Sequence, residues 1–404
     1  MKFHAFTMLA LTLAIGTTSA HATDWTPVPS GTTGTIRAIA NHAPELMLVG
    51  DGGYFARVNA GLTGVTIQNL STTASLLSVL YIGGDVASGA NGTFRLTFDH
   101  VNWVSRDIPN VAQDFVVFSS SNGSAYAVGT GGSIYHTDNY GLTWQSQGQP
   151  SAYALRAGAD GATVVGDHGT FLRTTDVGAH WTPHATGTTE NLLAILNTSG
   201  PKQVAVGAQG TIIRSLDSGA TWTIIPSGTT ATLRAIDFIG ADSYVVVGDG
   251  GTMLLTANGG ATWCRVNTGI TTNLYSVAYL GTTSFLVGGE GGVLLKTSTG
   301  GGACTAVTGV DDTHPVNALA LAGPFPDPVR DNGTLTLTSR RAGVLRVDVI
   351  DVAGRTVRQL FNARVVAGER HAFELRGSSL PAGAYFLRAR NGQDETTNSF
   401  VIVR

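Results

Sequence analysis

The sequence VGAQGTIIRSLDSGATW, from Val206 to Trp222, is the unit from which most of this chain is built. A short apolar strand is predicted to end at Gly207, and a glycine turn leads into a second strand over 211–214. The turn that follows has the pattern Ser-x-Asp-x-Gly-x-Thr-Trp. Versions of this stretch recur as far as Gly302, so the architecture follows from what the stretch forms.

Two markers recur along the chain with the same period. One is the glycine that closes the second strand of each unit, and the other is the tryptophan that follows the turn. The glycine spacings of 39, 40, 37, 41, 41 and 40 residues indicate an internal repeat. The glycines are Gly50, Gly89, Gly129, Gly166, Gly207, Gly248 and Gly288, and the tryptophans are Trp103, Trp144, Trp181, Trp222 and Trp263.

Each unit is predicted to contain four short strands separated by glycine turns. In the unit that starts at Leu233, these strands are expected over 233–238, 244–247, 252–256 and 262–266. No helical periodicity interrupts the pattern. Four strands in about 40 residues form one propeller blade. The seven glycines therefore predict an all-β fold, a seven-bladed β-propeller over residues 23–310.

The Ser-x-Asp-x-Gly-x-Thr-Trp turn has a structural explanation. The Asp217 carboxylate can accept backbone N–H groups of the turn, and Gly219 can adopt a positive φ. Trp222 is expected to pack between neighbouring blades. Because the aspartate varies among the copies, the turn is predicted to be structural rather than catalytic. A well-preserved second copy has Asp176, Gly178 and Trp181, whereas Asn139 and Asn258 replace the aspartate in two others.

A copy of the outer strand at the N-terminus predicts how the ring closes. Residues 25–33 (WTPVPSGTT) repeat residues 222–230 (WTIIPSGTT) almost residue for residue. We expect residues 25–29 to form the outer strand of the last blade, which removes exposed sheet edges. The alternative keeps residues 304–307 as that strand.

Composition excludes several classes of protein. The 404 residues have a net charge of −3, so no basic field indicates nucleic acid binding. The two cysteines, Cys264 and Cys304, are too few for a disulfide framework. A disulfide between them is not favoured, because the outer strands of neighbouring blades are expected to diverge beyond about 7 Å.

The N-terminal residues are predicted to be a secretory signal peptide over residues 1–22. Lys2 is followed by an apolar stretch over 5–15 and by the small-x-small sequence Ala20-His21-Ala22. This apolar run is too short for a transmembrane anchor, and no transmembrane segment is predicted in the mature chain.

The C-terminal part differs in composition from the repeats. Residues 311–332, which include four prolines, are predicted to be a linker. Residues 333–404 are predicted to form a small Ig-like β-sandwich. Its strands are expected over 334–338, 345–351, 356–360, 372–375, 384–390 and 399–403.

The repeat, VGxxGTIxxTxDxGxTW, resembles the photosystem II stability/assembly factor family of propellers and, more widely, the Asp-box (BNR repeat) proteins. The resemblance covers residues 25–307 and implies the fold. Sialidases, xyloglucan hydrolases and sortilin-type receptors also have Asp boxes, so the motif does not imply one chemistry. We use the name Asp box below for each Ser/Thr-x-Asp-x-Gly-x-Thr-Trp turn.

The C-terminal domain resembles the type A sorting domain of the type IX secretion system. The matching sequences are PFPDP at 324–328, LRVDVIDVAGRTV at 345–357 and LPAGAYF at 380–386. The resemblance implies a protein secreted by a bacterium or held at its surface, with the type IX secretion machinery as a partner. The tail, Val401-Ile402-Val403-Arg404, has no lysine, where the family often does. The alternative is an ordinary accessory β-sandwich.

Candidate binding residues lie at the predicted mouth of the central channel. Three inner strands begin alike, with an arginine as the second residue, and the turns between second and third strands end at the same face. Arginine suits a polar or anionic partner, and the resemblance to the assembly factor family, which has an arginine-rich binding patch, implies the same role. The alternative is mutual pairing of these charges. The residues are Arg37, Arg156 and Arg234 with Asp51, Asp167, Asp249 and Glu290.

Other polar positions are predicted to be structural. A basic row on the third strands is expected to be solvated blade surface. His180 and His184 could hold a metal only with a third ligand, so neither metal nor cofactor is predicted. The basic row is Arg57, His136, Arg173, Arg214 and Lys296.

The sequence therefore predicts an exported, non-catalytic propeller that binds a protein or glycan partner, or serves as a scaffold, at the cell surface. The alternative is a carbohydrate-active hydrolase, sialidase-like or another glycosidase, that uses the carboxylates of Asp51, Asp167 and Asp249. Those aspartates stand in Asp-x-Gly turns, where aspartate is common for conformational reasons.

Overall fold

A computed structural model of the chain supplies the fold. The predicted signal peptide, residues 1–22, lies outside the residues that it describes. The described residues are 25–42, 44–59, 61–108, 111–121, 123–159, 161–198, 200–240, 242–281, 284–299, 304–306, 319–325, 329–339, 342–351, 354–366, 370–392 and 394–403.

The first strands of the chain form three four-stranded antiparallel blades after a short strand, β1 (Thr26–Pro27). Within each blade the strands follow one another from the channel outwards. Blade 1 is β2 (Ile36–His42), β3 (Glu45–Gly50), β4 (Tyr54–Asn59) and β5 (Val65–Asn69); blade 2 is β6 (Leu76–Tyr81), β7 (Asp85–Gly89), β8 (Phe94–Thr97) and β9 (Val104–Ser105); blade 3 is β10 (Phe115–Ser121), β11 (Ser124–Gly129), β12 (Ile134–Thr137) and β13 (Gln145–Ser146).

Four further blades complete the ring, and the all-β, seven-bladed prediction is confirmed. Blade 4 is β14 (Leu155–Ala159), β15 (Thr163–Gly166), β16 (Phe171–Arg173) and β17 (Thr182–Pro183); blade 5 is β18 (Leu192–Asn197), β19 (Gln203–Gly207), β20 (Ile212–Ser215) and β21 (Thr223–Ile224); blade 6 is β22 (Leu233–Gly240), β23 (Ser243–Gly248), β24 (Met253–Thr256) and β25 (Cys264–Val266); blade 7 is β26 (Leu274–Gly281), β27 (Ser284–Gly289) and β28 (Leu294–Thr297).

The cores lie between neighbouring blades. Between blades 4 and 5, for example, Val165 and Phe171 pack with Leu192, Ala205 and Ile213. The second strands are apolar on both faces because each lies between two neighbours, which explains their continuous apolar runs. One marker glycine is shifted: β27 ends at Gly289 rather than at the predicted Gly288.

The N-terminal strand closes the ring, as predicted. In β1, Thr26 pairs with Lys296 and Pro27 pairs with Leu295 of β28. The alternative outer strand takes another place. Strand β29 (Cys304–Ala306) pairs with β25 and becomes a fifth strand of blade 6.

The disfavoured disulfide is a wrong prediction. Cys264 is disulfide-bonded, and the sequence contains one other cysteine, Cys304. The prediction assumed that Cys304 belonged to the outer strand of blade 7. Because β29 pairs with β25 instead, the backbone of Cys304 lies opposite Val266, two residues from Cys264.

The C-terminal residues form two antiparallel sheets around their own apolar core, which includes Leu335, Val347 and Leu387. All six predicted strands are present, and a seventh, Leu319–Phe325, lies within the stretch predicted to be linker. One sheet is β30 (Leu319–Phe325), β31 (Asn332–Ser339) and β34 (Arg370–Arg376); the other is β33 (Thr356–Val365), β32 (Gly343–Asp351), β35 (Gly383–Asn391) and β36 (Asp394–Ile402).

Candidate functional site

Arginine–aspartate pairs stand where inner strands begin at the channel mouth. Arg37 Nε donates to Asp51 Oδ1 at 2.9 Å, and its Nη2 lies 3.4 Å from Oδ2. Arg156 makes the same two contacts with Asp167, at 2.8 and 2.7 Å. Each pair is bidentate, and its two residues belong to the same blade. In each pair, the aspartate therefore fixes the plane of the arginine's guanidinium group.

A third pair adjoins an aromatic ring. Arg234 Nη2 donates to Asp249 Oδ2 at 3.1 Å. The guanidinium carbon of Arg234 lies 4.5 Å from the centre of the Tyr275 ring, and that of Arg37 lies 5.1 Å from it. Tyr275 of blade 7 therefore makes cation–π contacts with the arginines of both neighbouring blades.

Local backbone geometry places each partner. The β2–β3 register shifts between Ile36 and Ala38, so Arg37 is the extra residue of a β-bulge. Asp51 opens the single 3-10 turn Asp51–Gly53. A Cβ on Gly53 would lie 2.0 Å from the Thr72 carbonyl oxygen at the start of blade 2, so only glycine fits there.

The mouth is not a continuous ring of arginine. The same inner-strand position carries apolar, half-buried side chains in three blades: Leu77, Val116 and Leu193. Three neighbouring blades carry Arg234, Tyr275 and Arg37 in that order. The polar part of the mouth is thus concentrated on blades 6, 7 and 1, with Arg156 in blade 4.

The pairing changes the proton affinity of its members. Partial burial alone would raise the pKa of Asp51, but the hydrogen bond and charge of Arg37, together with hydrogen bonds from Thr35 and Ser75, outweigh it and the pKa is lowered. The hydrogen bond from Arg156 to Asp167, with the charges of Asp167 and Asp114, raises the pKa of Arg156 against the effect of burial. Both shifts favour the charged forms of Asp51 and Arg156.

Sequence reasoning named the three arginines and three aspartates, and the structure brings them together two by two. Glu290 instead accepts a hydrogen bond from Asn273 Nδ2 at 3.0 Å. Tyr275 was missed. Its signal is its position after Leu274, which corresponds to the position of arginine after Leu233.

The Asp box of blade 5 holds its turn as predicted. Asp217 Oδ1 accepts the Thr221 N–H at 2.8 Å, and Gly219 has a φ of 83°. A Cβ on Gly219 would lie 2.4 Å from Phe171 Cζ in blade 4. Trp222 meets the same Phe171 ring edge-to-face, with centroids 5.0 Å apart. These contacts are structural.

The Asp box of blade 4 uses the same contacts. Asp176 Oδ1 accepts the His180 N–H at 2.9 Å, and Gly178 has a φ of 84°. Hydrogen bonds from His180, from both its ring and its backbone, lower the pKa of Asp176 to about 2. Trp181 packs edge-to-face on Tyr126 of blade 3 at 5.5 Å.

The predicted basic row is not uniformly solvated surface. Arg57 is only 6% exposed, because it enters the seam between blades 1 and 2 and pairs with the buried Asp85. His180 Nδ1 lies 2.6 Å from Asp176 Oδ2, and His184 packs on Phe171. Within the described residues, no group of three or more His, Cys, Asp or Glu side chains is arranged to hold a metal ion.

Two known families match this chain. Residues 104–298 match the family described as photosynthesis system II assembly factor YCF48. Residues 324–403 match the secretion system C-terminal sorting domain. The second match indicates secretion or cell-surface localisation in bacteria and implies the type IX secretion machinery as a partner. Among the residues that the structure covers, none form a helix long and apolar enough to cross a membrane.

Solved structures similar to this chain are propellers. "YCF48 bound to D1 peptide" is 19% identical, with a TM-score of 0.58, and the match covers 68% of this chain and 94% of that one. YCF48 from Cyanidioschyzon merolae is 20% identical, with a TM-score of 0.54 and coverages of 68% and 98%. The WD40 propeller domain of Doa1 is 11% identical, with a TM-score of 0.56 and coverages of 68% and 96%. No curated protein matches. At these identities the likeness shows the fold alone.

Proposed function

We propose that the propeller is an exported, non-catalytic module that binds a polypeptide partner at its channel mouth, at the bacterial cell surface. The observation that carries the proposal is the group formed by Arg234, Tyr275 and Arg37 on three consecutive blades. A similar propeller was solved with a bound peptide, which supports a polypeptide over a glycan as the partner.

The chemistry of this group suits a peptide with anionic side chains or a carboxylate end. Each guanidinium is held in place by its own aspartate, so little side-chain entropy is lost on binding. Within the described residues, Nη1 of Arg37 and Nη1 of Arg234 have no acceptor and can donate to a partner. Tyr275 adds an apolar ring between them.

The arrangement supports binding more than glycoside hydrolysis. A glycosidase needs one carboxylic acid whose pKa is raised so that it can protonate the leaving group. At the mouth, Arg37 lowers the pKa of Asp51, which is the opposite direction. Asp167 and Asp249 are likewise engaged by arginines in bidentate pairs.

The test is capture of envelope proteins from the native host on the purified chain, quantified by mass spectrometry. In the double variant Arg37→Gln/Arg234→Gln, we expect partners retained by the parent to fall at least about 30-fold, the loss typical of interface hot spots. Lys202→Gln is the matched control, because Lys202 forms its ion pair with Asp242 beside the Asp-box turns rather than at the mouth.

Equal recovery on the parent and on the double variant would refute the mouth as the binding site. Separately, hydrolysis of any member of a glycoside panel by the parent, lost in Asp167→Asn, would refute the non-catalytic part of the proposal.

A further inference from the structure

A second group of ionisable side chains lies at the seam between blades 1 and 2, at the Asp-box end of the strands. Asp85 is fully buried, and its Oδ2 accepts a hydrogen bond from Arg57 Nη2. His100 Nδ1 lies 2.7 Å from the same oxygen. Glu45 contacts the other side of Arg57 at 3.5 Å. The mouth proposal uses none of these residues.

The sequence of this seam departs from the repeat at two places. By strand register, Asp85 opposes the threonine that opens the Asp box, the place held by Tyr244 in blade 6 and Phe285 in blade 7. Blade 2 thus has a buried carboxylate where those two blades have a buried ring.

The turn of blade 2 reads TFDHVNW over 97–103, one residue shorter than SLDSGATW over 215–222. His100 enters the seam from this shortened turn.

The carboxylate fixes the tautomer of His100. A carboxylate oxygen can only accept, so the hydrogen atom is on Nδ1 of His100. Arg57 Nη2, at 3.4 Å from Nδ1, is the more distant neighbour. In the neutral ring, Nε2 then carries a lone pair, and the His100 side chain is 43% exposed. Metal-binding histidines are held by such a carboxylate behind the ring.

A second imidazole lies beside the first. The ring of His42, half-buried at the end of β2, stacks on Tyr81 at 4.0 Å, and its centroid is 5.6 Å from that of His100. Two imidazoles that share one tetrahedral Zn²⁺, with Zn–N bonds of about 2.0–2.1 Å, have ring centres about 5 Å apart. The observed spacing is within a small side-chain adjustment of that value.

Charge favours a cation at this place. Glu45 and Asp85 supply two negative charges against the single positive charge of Arg57, and the two histidines are neutral when they bind a metal. Because the described residues hold no set of three ligating side chains, water would complete the coordination.

We propose that this seam binds one divalent transition-metal ion of the Zn²⁺ or Cu²⁺ class through His42 and His100, with Asp85 as the carboxylate behind His100. Imidazole ligands select Cu²⁺ and Zn²⁺ over Mg²⁺, which prefers oxygen ligands. The site is independent of the channel mouth, so failure of one proposal leaves the other standing.

The test is isothermal titration of the tag-free chain with CuCl₂, ZnCl₂ and MgCl₂ at pH 7.5. His100→Asn removes the ligand at a position where φ is 61°, a conformation that asparagine tolerates. His42→Gln removes the other ligand. The matched control is His180→Asn, because His180 contacts Asp176 as His100 contacts Asp85. Circular dichroism confirms folding of each variant.

We expect one equivalent of Cu²⁺ or Zn²⁺ to bind the parent, no Mg²⁺ to bind, and affinity to fall at least about 10-fold in either ligand variant. The control is expected to bind as the parent does. Parent-like affinity in His42→Gln or His100→Asn would overturn the proposal, as would loss of the first equivalent in His180→Asn.

Discussion

The seam between blades 5 and 6 and the seam between blades 1 and 2 use one repeat position for different purposes. In the first, Arg214 lies over the Asp-box glycines of blade 6; a Cβ on Gly259 would be 3.5 Å from its Nη2. In the second, Arg57 at the matching position is buried and paired with Asp85, whose Oδ2 also accepts from His100. The arginine is common to both, and the next blade determines its environment.

This difference shows where a repeat protein can acquire chemistry. A seam contains side chains from two repeats, so changes in one blade alter the partners of residues in the other. The loss of a glycine from the turn of blade 2 and the placement of Asp85 where blades 6 and 7 have the rings of Tyr244 and Phe285 convert packing into a charged cluster. The second and third strands of blade 2 still pair as antiparallel neighbours, as in the other blades.

The largest expected effect comes from Asp85→Ala. Removal of Asp85 leaves the buried charge of Arg57 with only its longer, 3.5 Å contact to the half-exposed Glu45, and loss of a buried partner typically costs about 3–5 kcal/mol. The exposed Lys202–Asp242 pair is the comparison, where Asp242→Ala should cost less than about 1 kcal/mol. Urea unfolding followed by tryptophan fluorescence reports the propeller alone, because all six tryptophans precede residue 304. Similar urea midpoints for Asp85→Ala and Asp242→Ala would show that the buried pair contributes no more to stability than the exposed pair.

An intermediate effect is expected from Gly219→Ala at the seam of blades 4 and 5. Its new Cβ would lie 2.4 Å from Phe171 Cζ, whereas a Cβ on Gly187 meets no atom within 4 Å. Both glycines have a positive φ, so backbone strain is common to the two variants. We expect Gly219→Ala to cost about 1–3 kcal/mol more than Gly187→Ala in the same unfolding assay. An equal loss of unfolding free energy in the two variants would show that Gly219 is required only for its positive φ and not for packing at the seam.

The smallest effect concerns the Asp-box carboxylates. Hydrogen bonds within the turns lower the pKa of both Asp176 and Asp99, the latter in the shortened turn of blade 2. A carboxylate with a lowered pKa stabilises the fold above its unfolded value, about 3.9, and loses this contribution as the pH falls through its folded pKa. Thermal unfolding between pH 5 and pH 2 should therefore show less acid loss in Asp176→Asn and in Asp99→Asn than in the parent. An effect at Asp176 alone would mean that blade 2 has lost its Asp box along with its glycine.

Features repeated in every blade could be predicted from the sequence. The period of the glycines and tryptophans specifies the blades, and the copy of residues 222–230 at residues 25–33 identifies the closing strand. Arg37 and Asp51 could be named because equivalent residues recur at the same strand and turn positions. Gly288 was misplaced by one residue because Gly289 follows it, and neither has a side chain to reveal the register.

Features that depend on contacts between repeats could not be predicted. Arg57 and Asp85 are 28 residues apart in sequence and belong to different blades. The position of Tyr275 after Leu274 is visible in the sequence, but its contacts with Arg234 and Arg37 join three blades, the first and the last of the chain among them. The state of Cys264 required the pairing of β29 with the preceding blade, which no local pattern indicates.

The ring can be closed by β1 only when all seven blades are present. Thr26 pairs with Lys296, so β1 cannot pair until the final blade of the propeller has been synthesised. A chain cut short before β28 leaves two unpaired blade edges, which are sites for aggregation and proteolysis. Only a full-length propeller pairs both of these edges. Because the contact between β1 and β28 joins residues far apart in sequence, it is expected to be among the last to form.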